Sequence, residues 1–189
     1  MSEQFFSVEH GIPLNVEPLP ADFVLPTLEA LEQELPAPFR IAGAITHVDV
    51  GTARQLRSMG EEFGVLVEVI NQQSAKINLL LGYLLSQMDD PSQRRITSRF
   101  GGSGMSFHDT NPWPPGSLLR IKLFLEDEAS AIYCYGRIVA CHPLPTGYQL
   151  DVEYVRLRHD DQELLVRASL HVQSRQLKLR AEQRANPTK

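Results

Sequence analysis

Cysteine is almost missing from this chain, with only Cys134 and Cys141 among 189 residues. The two stand seven apart without a second pair, which excludes a disulfide framework or a zinc ribbon and suits a reducing cytoplasm. No further ligands stand at a metal-site spacing, so no metal is expected. Long apolar runs are missing too. The most apolar window, Ile77 to Leu85, is interrupted by Asn78 and Gly82 and falls far short of the ~20 residues that span a bilayer. The opening stretch, Met1 to Pro13, has no basic segment before an apolar core, so no signal peptide is expected. An excess of positive charge is also lacking. The net charge is -5, which argues against a nucleic-acid backbone as partner. The one basic bias, at Arg167, Arg175, Lys178, Arg180 and Arg184, fits the solvated face of a last helix.

Catalytic constellations are equally scarce. Gly101 to Gly104 lacks the Lys-Ser/Thr ending and following helix of a phosphate loop. Cys134 falls in a strand pattern, where a cysteine behaves as a small buried apolar residue. His108-Asp109 opens a proline-rich loop, and His159-Asp160-Asp161 suits a helix N-terminus, where acids complement the dipole. The chain is not expected to be an enzyme. Trp113, in the stiff stretch Asn111 to Gly116, either covers the end of the fold or anchors an interface, the covering role being favoured.

What the chain does have is a heptad run. Leu56, Phe63, Ile70, Ile77 and Leu84 recur at one core position of a coiled coil. Met59, Leu66, Gln73, Leu80 and Gln87 recur at the other. A helix over about 52–88 would be roughly 50 Å long, too long to bury itself in a chain of this size. It must find a partner, and the chain is expected to form a homo-oligomer. Gly60, Gly64 and Gly82 each weaken the helix by about 1 kcal/mol, so packing must hold it. Ile at one core position with Leu at the other suits parallel dimers. Val67, Val69, Leu81 and Tyr83 widen the apolar seam, and this tips the expectation to a tetramer.

Around that helix the sequence divides into a first strand within residues 1–20, a helical insertion over 21–92 and a β-rich remainder over 93–182. Residues 183–189 read as a disordered tail. Within the insertion, Leu28, Leu31 and Leu35 mark a short helix stopped by Pro36 and Pro38, while Phe39 to Val50 is ambiguous. After Pro91 four strands are expected, at Gly104–Phe107, Leu118–Leu125, Ala131–Val139 and Tyr148–Val155. Their spacing and turns suit an antiparallel barrel or sandwich. Asp160 to Arg180 returns to helical spacing.

That order, with the stretches Gly101-Gly-Ser-Gly-Met-Ser-Phe107, Ala131 to Val139, Gly147 to Tyr154 and Glu163 to Arg167, resembles a PilZ domain. The resemblance implies a mainly β fold: a six-stranded antiparallel β-barrel with a helical insertion, here a long heptad coiled-coil helix. The insertion is similar to that of an atypical, tetrameric PilZ subgroup. Receptors of the family bind cyclic di-GMP through an Arg-x-x-x-Arg element and an Asp/Asn-x-Ser-x-x-Gly element, guanidinium forks holding the phosphates. Aligning the second element on Gly104 puts Arg99 and Gly101 where the acid and the serine belong, and only the glycine survives. An Arg-x-x-x-Arg match, Arg95 and Arg99 with Arg94 beside it, stands before Gly101, in what reads as a cationic loop. The expected function is therefore a cytoplasmic, non-enzymatic signalling scaffold with degenerate ligand motifs, no cofactor and an unidentified protein partner. The alternative is a cyclic di-GMP receptor with a rearranged site near Arg95 and Arg99.

Overall fold

A computed structural model of the chain describes residues 7–43 and 64–185. Among these residues seven strands form one antiparallel sheet. They are β1 (Ser7–Glu9), β2 (Pro13–Pro18), β3 (Arg94–Gly101), β4 (Gly104–Asp109), β5 (Leu118–Leu125), β6 (Ser130–Leu144) and β7 (Gly147–Arg156). Six of them close a ring in the order β3-β2-β5-β6-β7-β4, the pairing of β3 with β4 completing the barrel. The extra strand, β1, also pairs with β3.

The opening segment, expected as one strand, is thus two. The register slips by one residue between the pairs Glu9–Arg99 and Pro13–Ile96. Thr97 fills the resulting gap. Its hydroxyl accepts from the Ile12 amide at 2.8 Å and donates to the His10 carbonyl at 2.7 Å. The break therefore leaves no orphaned backbone group at these positions. The strand β3 is a second departure from the sequence reading, which placed a loop there. Arg94, Arg95 and Arg99 hide its alternation, because strand signals rest on apolar residues.

The barrel interior is filled by one face of each strand, including Leu14, Phe100, Phe107, Ile121, Leu123 and Leu150, all fully buried. At one end α4 (His159–Ala185) packs Leu164, Leu165, Ala168 and Val172 against this core. Polar contacts tie α4 to the 3-10 turn Glu126–Glu128: His171 Nδ1 lies within hydrogen-bond distance of Glu128 at 2.7 Å, and Arg175 pairs with Asp127 at 2.9 Å. The helix runs to Ala185, three residues into the segment read as a disordered tail. Trp113 packs on the barrel core, edge-on to Phe107 with ring centroids 6.1 Å apart, which is the covering role.

A second core lies outside the barrel wall. Residues 28–34 form α1 (Leu28–Glu34), capped by the Thr27 side chain, and residues 37–43 form a further helix, α2. Leu31, Leu35 and Phe39 from this segment meet Phe124, Ala131, Tyr133 and Tyr135, which point outward from β5 and β6. Buried on both faces, β6 is continuously buried from Ser130 to Gly136 and shows no period of two there. The long helix α3 (Gly64–Ser86) adds Leu81 and Leu85 to this second core.

Candidate functional site

Two faces carry the residues that the sequence singles out. On α3, Val67, Leu81 and Leu85 are buried within the protomer. Around the helix from them Leu66, Val69, Ile77, Leu80, Tyr83 and Leu84 are exposed, Leu80 to 65% and Tyr83 to 64%. Ile70 is half-buried and Gln73 exposed. Leu56, Met59 and Phe63 lie outside the described residues. The four flanking residues thus separate: Val67 and Leu81 serve the protomer, while Val69 and Tyr83 broaden the free face. With Val65 and Leu79, each 75% exposed, eight large apolar side chains are left in water along one helix and mark an interaction surface, because exposed apolar patches of this kind signal partners.

The barrel holds the end of that helix firmly. Asn15, 1% exposed on β2, donates to Asp89 Oδ1 at 2.8 Å and to the Asp90 carbonyl at 3.0 Å, and its own oxygen accepts from the Asp90 amide. Asp90 in turn accepts from the Ser92 hydroxyl and amide, and these bonds hold its carboxyl below the usual range. Sequence reasoning missed Asn15. Its partners are 74 and 75 residues away, and an isolated asparagine before a proline break carries no signal for them.

The arginines project from β3. Arg94 pairs with Asp89 at 2.6 Å, and Arg95 Nε donates to Asp109 Oδ2 at 2.7 Å, with the Asp109 side chain 1% exposed. Arg99 donates to the Ser106 hydroxyl at 3.2 Å and lies 3.7 Å from Asp151, which also accepts from Ser106 at 2.6 Å. Each of the three cations therefore already has a carboxylate. An incoming phosphate would have to displace it, and at Arg95 would strand a buried charge. Gly104 begins β4 opposite Glu153, and a side chain there would collide with the Val152 carbonyl oxygen. Its smallness serves the close approach of two strands.

Other chemistry finds little footing. Among the described residues no three His, Cys, Asp or Glu side chains gather as a metal site would require. Cys134 is buried inside the barrel, where desolvation and then the nearby Asp161 push its thiol well above the ordinary range, so it stays protonated and inert. Cys141 is half-buried, and both thiols are free. No described helix is long and apolar enough to cross a membrane.

Against known proteins, the model of the PilZ domain matches residues 70–171, more than half of the chain. The protein belongs to the PilZ-domain family. No curated protein matches it. A solved structure similar to it is a Xanthomonas campestris protein described as a tetrameric PilZ domain self-assembled through an unusual helical bundle. That likeness has a TM-score of 0.59 at 17% identity over 93% of this chain and 91% of the other. The Bacillus subtilis inhibitor of motility MotI/DgrA is more distant, with a TM-score of 0.48, 10% identity and coverage of 93% and 53%.

Proposed function

We propose that the protein is a non-enzymatic regulatory scaffold of the cytoplasm, a homotetramer built on α3 that displays several PilZ barrels to a protein partner. The observation that carries this reading is the exposed apolar face of Leu66, Val69, Ile77, Leu80, Tyr83 and Leu84, on a helix whose other face is already satisfied within the protomer. The assembly of the Xanthomonas relative through a helical bundle supports it. Display of several copies raises avidity without strong single contacts. Because Ile77 and Leu84 are exposed in the protomer, Ile77→Asp with Leu84→Asp introduces no charge into its core. The double variant is expected to keep its circular dichroism while its light-scattering mass falls from tetramer to monomer. An unchanged mass would move the assembly to the barrels.

Signalling without the family's ligand is the second half of this reading, supported by the pairing of Arg94, Arg95 and Arg99 with Asp89, Asp109 and Asp151. Calorimetry with cyclic di-GMP is expected to show no saturable heat at micromolar concentration. Binding that disappears in an Arg95→Ala, Arg99→Ala variant would make the protein a receptor with a rearranged site instead.

A further inference from the structure

Charge is distributed very unevenly along this chain. Residues 1–39 contain seven acids and no lysine or arginine, Arg40 being the first cation. Residues 174–184 carry Arg175, Lys178, Arg180 and Arg184 against the single acid Glu182. The fold exposes the acids Asp22, Glu29 and Glu32 of the first region and most of the second. The last side-chain bond from α4 to the barrel is Gln176 to the Glu9 carbonyl at 2.8 Å, and every residue from Leu177 to Arg184 is exposed. This stub projects roughly 12 Å beyond its last support. Its Leu177 lies 58% exposed on the same side as Arg180 and Arg184, and none of its cations has an ion-pair partner among the described residues. On α1 and just before it, Val24 and Leu28 are exposed beside the likewise unpaired Asp22, Glu29 and Glu32.

Both patches carry exposed apolar residues and their charges are opposite, yet they cannot meet within one protomer. Helix α4 packs on β1 and β3, while α1 covers the outer wall of β5 and β6, and β3 and β6 face each other across the ring. We infer that the projecting end of α4 docks on the acidic α1 surface of a second copy of this chain, reciprocally about a two-fold axis. A lone helical turn or two holds poorly in water and single surface ion pairs contribute little, so the contact is made effective by tethering. In that respect it rests on assembly through α3, and it adds a second, salt-sensitive joint that sets how the barrels sit around the bundle. A two-fold arrangement uses both patches of each chain and leaves no open end for filament growth.

The test is disulfide trapping in the full chain on a Cys141→Ser background, Cys134 being inaccessible in the core. With copper-phenanthroline in low salt, Leu28→Cys, Leu177→Cys should give covalent dimers at least fivefold above either single variant, and 0.5 M salt should abolish the excess. Adding Arg180→Glu and Arg184→Glu should lower the yield at least fivefold, and adding Glu29→Lys and Glu32→Lys to that chain should restore it. A yield no higher than that of the single variants overturns the inference, as does a yield indifferent to charge reversal. Light scattering on the same samples separates this joint from the α3 bundle. A tetramer without cross-links refutes only the joint, including the case in which the stub serves an acidic protein of another kind. Cross-links in a sample that is otherwise monomeric refute only the bundle.

Discussion

Glycine shows how one residue type takes opposite roles in the same chain. At Gly104 a methyl group would meet the Val152 carbonyl oxygen, and at Gly136 it would sit 2.6 Å from both Ile121 Cδ1 and Val152 Cγ1. At Gly82, on α3, it would meet nothing within 4 Å. Gly104→Ala is therefore expected to destabilise the fold by about 2 kcal/mol or more, since backbone cannot yield as a side-chain end can. Gly82→Ala is expected to stabilise it by about 1 kcal/mol through helix propensity alone. Urea denaturation of the two variants checks both signs; equal effects would mean that neither environment is as described. From composition the two positions are indistinguishable. Burial also separates the cysteines, one inside the barrel and one at its edge, although they occupy the same strand.

Among the elements, α3 has two faces with different duties, and mutations should separate them. Leu81 is 4% exposed and packs with Leu31, Leu35 and Phe39. Leu81→Ala should cost about 2–4 kcal/mol of stability while leaving the number of subunits unchanged. Gln73 is exposed in the protomer and falls between the Ile70 and Ile77 layers of the free face. In the proposed bundle, facing glutamines would hydrogen-bond one another and fix the register, because a slipped alignment sets each amide against an apolar side chain. Gln73→Leu should then raise the melting temperature and broaden the oligomer distribution in native mass spectrometry. A single unaltered oligomer with an unchanged melting temperature would show that Gln73 points to solvent in the assembly as well. The strand β3 gives a contrasting case. Its sequence, Arg94 to Gly101, looks like a polar loop, and pairing with β1, β2 and β4 makes it the strand that closes the ring.

For the whole molecule, assembly and folding should be linked. A helix that exposes this much apolar surface in the protomer is stabilised by whatever covers it, and mass action then makes the melting temperature depend on protein concentration. Differential scanning calorimetry across a hundredfold range of concentration should show the melting temperature rising for the wild type. It should stay flat for Ile77→Asp, Leu84→Asp. A concentration-independent wild type would mean that the apolar face stays in water. Four of the strands, the helix over 64–86, the closing helix and their order were legible in the sequence from local apolar patterning, whereas closure into a six-stranded barrel followed from the resemblance to the PilZ domain. Of the seam residues that the heptad singles out, Leu66, Ile77, Leu80 and Leu84 are exposed in the protomer and Ile70 is half-buried, while Val65 and Leu79, which it does not single out, are more exposed than any of them. Contacts between residues far apart decided the rest. Only the packed fold assigned Leu81 to the protomer and Val69 to the outside, gave Arg95 the buried Asp109 as partner, and tied Asn15 to Asp89. Periodicity reports which side of an element is apolar, whereas which neighbour covers that side, and which charge meets which, depends on the closure of the ring.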